Sequence, residues 1–147
     1  MGRTLVTAVG VAALAFVPTA AGATPGSGVT ATGVAKGTSP GPLRVTAPEG
    51  RADVTFTTAP GGSTGWHTRK GQLIVVVKSG TLTRTLDDCS VEVSPAGTSF
   101  VEQSGRNHRH IGRNLGSEPI VLWVTYLLPR GSALSDDAEA VVCDPAK

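Results

Sequence analysis

The chain has 147 residues, enough for one hydrophobic core and too few for two. Its formal net charge is +2 with 16% charged residues, too weak a field to recruit nucleic acid. Aromatics are only 4%, against 19 glycines and 10 prolines, which disfavours a helical bundle and favours short strands joined by turns.

The opening residues read as an address. Arg3 gives a positive start, Leu5 to Val17 an apolar run, and Ala21-Gly22-Ala23 a small-residue peptidase site. The run stops at Pro18, short of the about 20 apolar residues a membrane span needs. Residues 1–23 are therefore expected to be a cleaved signal peptide, with no membrane span afterwards. Export would deliver the protein to the cell envelope or the medium. Losing Arg3 from the 13 basic residues leaves a chain close to neutral against 11 acidic ones.

Residues 24–42 are rich in Gly, Ser, Thr and Pro and read as a flexible linker, or, through Val29 to Ala35, as an added edge strand. From Leu43 the pattern becomes strand, turn, strand. Val54 to Thr57 alternates and ends at Pro60-Gly61-Gly62. Leu73 to Val77 is apolar and too short to favour a helix. With the alternating Thr81 to Thr85 it predicts a hairpin across Gly80. Further strands are expected at Ser90 to Val93, Ser99 to Glu102, and Ile120 to Leu128, with a histidine-bearing segment at Asn107 to Ile111. Ser135 to Val141 is the one stretch expected to be helical. Regular short strands with turn signals argue for an all-β sandwich or barrel.

Cys89 and Cys143 form an even pair. In an oxidising compartment they are expected to join as a disulfide tying down a tail at residues 129–147, the alternative being two buried thiols.

The turn-strand-turn order carries specific residues. Gly61, His67 and Gly80 fall at the spacing of a motif written Gly-x5-His-x-His-x(3–4)-Glu-x6-Gly, and Gly97, Gly105 and His108 at that of Gly-x5-Pro-x-Gly-x2-His-x3-Asn. Over residues 43–128 the chain thus resembles a small single-domain cupin. That resemblance implies a double-stranded β-helix, or jelly-roll barrel, with a small polar or anionic molecule bound inside. It also implies a divalent transition metal (Zn, Fe, Mn, Ni or Cu) on histidines, and pairing of barrels into a homodimer. Cupins include dioxygenases and isomerases as well as non-catalytic binding modules, so whether this chain is an enzyme stays open.

Several motif positions differ. Arg69 stands at the second His, Leu73 at the Glu, Gln103 at the Pro and Gly112 at the Asn. His110 offers a repair: two residues after His108 it would share a strand face with it, and it lies four residues before Asn114, as the second motif requires after a two-residue insertion. The expected metal ligands are therefore His67, His108 and His110, set against a reading in which the histidines stay metal-free. Arg69, inward by alternation with His67, is expected either to hold an anionic ligand or to form a salt bridge with Glu102 or Glu92. Trp66 and Tyr126 are candidate pocket-lining residues. Glu102 is expected at the surface, or as a partner orienting a histidine.

Overall fold

A computed structural model of the chain describes residues 24–37 and 51–144. The expected signal peptide over residues 1–23 lies outside the described residues, as do 38–50, where the barrel was expected to begin. Ten strands form: β1 (Ser27–Gly37), β2 (Arg51–Ser63), β3 (His67–Thr68), β4 (Gln72–Ser79), β5 (Thr81–Leu86), β6 (Val91–Pro95), β7 (Ser99–Glu102), β8 (His110–Arg113), β9 (Ile120–Leu127) and β10 (Asp136–Asp137). The described residues are all-β, and every pairing among them is antiparallel.

The sheet runs β7-β4-β9-β2, passes through β8, and continues to β3 and β10 on one side and to β5 and β6 on the other. It curls back on itself where Val77 of β4 exchanges backbone hydrogen bonds with Gly97 and Thr98, in the turn between β6 and β7. The result is the nearly closed barrel of a double-stranded β-helix. β1 adds to β2 from the same chain, so Val29 to Ala35 lies in a strand.

Alternation puts the core inside this curl. Leu73, Val75 and Val77 of β4 are buried while Ile74 and Lys78 face solvent. On β9 the period is the same: Ile120, Leu122, Val124 and Tyr126 point inward and Trp123 outward, under the Lys78 ammonium. Leu82 and Leu128 complete this cluster. Each buried aliphatic side chain contributes roughly 1.5–3 kcal/mol of transfer free energy. A second cluster gathers Trp66, Ile111 and Val141 at one end of the barrel.

Two expectations are corrected. β4 and β5 do not form a hairpin. β4 pairs with β7 and β9, and β5 with β6 and β8, so Gly80, at φ +75°, carries the chain from one part of the sheet to another. Nor is Ser135 to Val141 helical. The segment is extended, pairs with β3 through Asp136 and Asp137, donates the Ala138 N–H to the Trp66 carbonyl, and packs Ala138 and Ala140 on the second cluster. Its alanines favour a helix locally, but a strand edge with open carbonyls outbids that weak preference. Cys89 and Cys143 form a disulfide that fastens the β5–β6 turn to this tail, 54 residues away in sequence.

Candidate metal centre in the barrel

The two-residue strand β3 exists because its neighbours hold it from both sides. His67 is the register partner of His110 on β8 and of Asp137 on β10. Just upstream, Trp66 donates its N–H to the Thr24 hydroxyl, and Gly65 sits at φ +70°. A Cβ at Gly65 would lie 2.2 Å from the Thr24 carbonyl oxygen, so only glycine lets the N-terminal residues close on this segment.

The pairing brings the imidazoles of His67 and His110 together inside the barrel, ring centroids 4.3 Å apart and planes at 67°. Both are buried, at 3% and 4% exposure. The His67 Nδ1 lies 2.9 Å from the Gly65 carbonyl, and the His110 Nδ1 lies 2.9 Å from the His108 carbonyl. A carbonyl can only accept, so each Nδ1 carries the hydrogen; on the neutral His67 ring Nε2 keeps its lone pair, while the His110 Nε2 faces the Glu102 carboxylate. The His67 Nε2 is buried with no hydrogen-bond partner. Burial, with the nearby Arg69 charge and His110, lowers the His67 pKa to about 3, so this ring is neutral at ordinary pH.

The third member is Glu102, from the end of β7. Its Oε2 lies 3.2 Å from the His110 Nε2 and 3.1 Å from the Arg69 Nε. Burial alone would raise its pKa, but His110 and the Arg69 guanidinium outweigh that and hold it well below the usual carboxylate range. Glu102 is thus a buried anion paired with Arg69 and His110, the partner reading of the two expected and not the surface one. Its ligand atoms and those of His67 and His110 all lie within 4.8 Å of one another.

These three side chains line a cavity of about 30 Å³, together with Arg69, Leu73 and Tyr126. That is room for an ion or a water molecule, not for an organic ligand. The Arg69 guanidinium, also bonded to the Leu134 carbonyl, stands 5.5 Å from the Tyr126 ring centre. Burial pushes the Tyr126 phenol up to about 12, which keeps its proton on.

Two expected site residues fall elsewhere. His108 is exposed and stays outside the cluster, because β8 begins only at His110 and the alternation that would align i with i+2 does not extend into the preceding loop. Trp66 does not line the cavity. Adjacent to His67 on an extended segment, it points the opposite way, into the second cluster, where its indole N–H is donated to Asp144. The register with a two-residue insertion is the one seen. His110 faces inward, and Asn114 is buried, donating to the Thr58 and Glu118 carbonyls.

The donor set suits a divalent transition ion: two imidazoles with their outer nitrogens anchored, and one carboxylate. Ligand bonds of about 2.0–2.2 Å would place the donors roughly 3–4 Å apart, so the cluster needs to contract by about an ångström.

The cupin-domain family model matches residues 54–126. None of the curated proteins matches the chain. Among solved structures, the polyketide cyclase RemF from Streptomyces resistomycificus superposes with a TM-score of 0.58 at 15% identity, covering 81% of this chain and 78% of its own. The cupin domain of an XRE-family transcriptional regulator from Enterobacter cloacae gives 0.51 at 20% identity, covering 70% and 99%. An uncharacterised double-stranded β-helix protein from Klebsiella pneumoniae gives 0.50 at 26% identity, covering 61% and 71%. These likenesses establish the shared fold. Family match, strand topology and neighbours agree, and residues 54–126 of the chain form a cupin domain.

Proposed function

We propose that His67, His110 and Glu102 hold one divalent transition-metal ion and that this centre is the working part of an exported cupin. The observation that carries this reading is the pair of buried imidazoles whose Nδ1 atoms are both spent on backbone carbonyls, leaving Nε2 and a buried carboxylate aimed at one small cavity. Fixing the outer nitrogen is how metal-binding histidines are usually oriented. Two histidines and one carboxylate, with further positions open, form the donor set of non-haem Fe(II) centres and also suit Mn(II), which is a different set from the three histidines expected.

Charge sets the nature of the co-ligand. Arg69 and Arg84 are balanced by Glu102 and Glu92, so a divalent ion would leave the pocket with two uncompensated positive charges. An anionic co-ligand relieves that. Export is supported by the disulfide and by the apolar run Leu5 to Val17.

Calorimetric titration of the metal-stripped protein with Mn(II) and Zn(II) tests this reading. One equivalent should bind, and His110→Ala should weaken binding at least about a hundredfold. Failure of both ions to bind overturns it. An oxygen-activating enzyme is a second reading, favoured by the donor set alone.

A further inference from the structure

The inner cavity shares a wall with an outer cleft. The cleft has a volume of about 290 Å³ and is lined by Leu86, Glu92, Phe100 and His108. Arg84, Glu102 and His110 border both spaces. Arg84 is the one of these three that is not itself a member of the candidate centre, and it stands at the wall between the two spaces.

Arg84 is 6% exposed, and its guanidinium lies against Phe100, with Cζ 3.5 Å from the ring centre. Its Nη2 bonds the carboxylate of Glu92, its register partner on β6, and its Nη1 is 3.9 Å from Glu102 Oε1. Its Nε is buried without a hydrogen-bond partner. Nε and Nη2 form one edge of the guanidinium fork, built to take both oxygens of a carboxylate. Glu92 uses one prong of that edge, and its side chain is 48% exposed. A buried cation is thus held by a half-solvated acid that leaves half of the recognition edge unused.

We propose that the cleft binds a small organic acid whose carboxylate displaces Glu92 and takes the Nε and Nη2 edge of Arg84 in a bidentate contact. Its apolar part lies along Phe100 and Leu86, and its inner end faces His110 and Glu102. One carboxylate replaces another on Arg84, so the guanidinium keeps an anionic partner while Glu92 regains full hydration. This deepens the metal-centre reading by naming the ligand class, and it rests on that reading only for what the inner end meets.

The test is calorimetric titration of the metal-free full chain with benzoate and with its neutral isostere benzamide. Benzoate should bind, and benzamide should be at least about tenfold weaker. Glu92→Gln, a change at a half-exposed position, should tighten benzoate about fivefold by removing the competing ion pair. Arg84→Lys keeps the charge but loses the fork, and should weaken benzoate about tenfold in a variant whose cooperative urea unfolding shows that it still folds. Equal binding of benzoate and benzamide, no binding of benzoate, or an unchanged affinity in Glu92→Gln would overturn the proposal. A parallel titration of the wild type with Mn(II) and Zn(II) separates the two claims. Benzoate binding in a protein that takes up neither ion removes the metal centre and keeps the acid site, and the converse removes the acid site alone.

Discussion

Glu102 at the end of β7 is the antiparallel register partner of Leu73 on β4, and both side chains line the same cavity. Leu73 stands where the cupin pattern carries its metal-binding glutamate, and Glu102 brings a carboxylate to the same cavity from the strand paired with β4. Paired residues sit with Cβ atoms about 4.5–5.5 Å apart, a gap a glutamate side chain spans. Arg69, at the pattern's second histidine, pairs with that same Glu102. The arginine at one departure thus neutralises the carboxylate that stands opposite the other.

Moving the acid across to β4 tests this relationship. Glu102→Leu should lose Mn(II) affinity by more than about tenfold and, by stranding the buried Arg69, cost about 3–5 kcal/mol of stability. Adding Leu73→Glu restores a carboxylate to the same cavity and should recover most of both losses. A folded double variant that binds no better than the single one would refute the exchange.

His108 and His110 differ by two positions and should differ sharply in effect. His110→Ala removes a buried ring facing Glu102, whereas His108→Ala removes an exposed one, leaving in place the backbone carbonyl that orients His110. Metal affinity should fall at least about a hundredfold in the first and change less than about twofold in the second. Equilibrium titration with a chromophoric chelator as competitor reads both.

Acid should destabilise the metal-free protein in two stages. The unfolded chain protonates His67 near 6.5, but the folded one does so only near 3, so between those values the unfolded state binds more protons and stability falls as pH drops. The slope is at most about 1.4 kcal/mol per pH unit. Glu102, whose folded pKa is also depressed, adds to the loss below its unfolded value of 4.5. Urea midpoints from pH 8 to 3.5 should decline from about pH 6.5 downward, and His67→Ala should flatten the upper part of that decline.

Much of the fold was legible because it rests on local signals: period-two alternation on β4 and β9, turn glycines, and the spacing of Gly61, His67 and Gly80. The inward face of His67 followed from that spacing, and the disulfide from an even pair of cysteines in a chain expected to be exported. Glu102 was not placed among the metal ligands because its role depends on strand register, with 29 positions separating it from its partner Leu73, and no local pattern encodes that pairing. His108 was misassigned because alternation starts only where the strand starts. The tail's helix failed because Trp66 and β3 offered its backbone a better partner.

The disulfide should matter beyond its own neighbourhood. The tail it secures supplies Val141 to the cluster around Trp66, and Asp144 to the Trp66 indole and to Arg113. Replacing both cysteines by serine should cost about 2–4 kcal/mol in urea unfolding. Trp66 emission should shift red in the folded variant as the tail loosens and water reaches the indole. Unchanged emission and an unchanged midpoint would show that the tail holds without the bond.

The most direct measurement is a crystal of the protein equilibrated with Mn(II), with data collected at a wavelength where manganese scatters anomalously. The account predicts a single strong peak inside the barrel, about 2.0–2.2 Å from the Nε2 atoms of His67 and His110 and from a Glu102 oxygen. A barrel interior with no anomalous peak, or manganese seated only on surface acids, would contradict it.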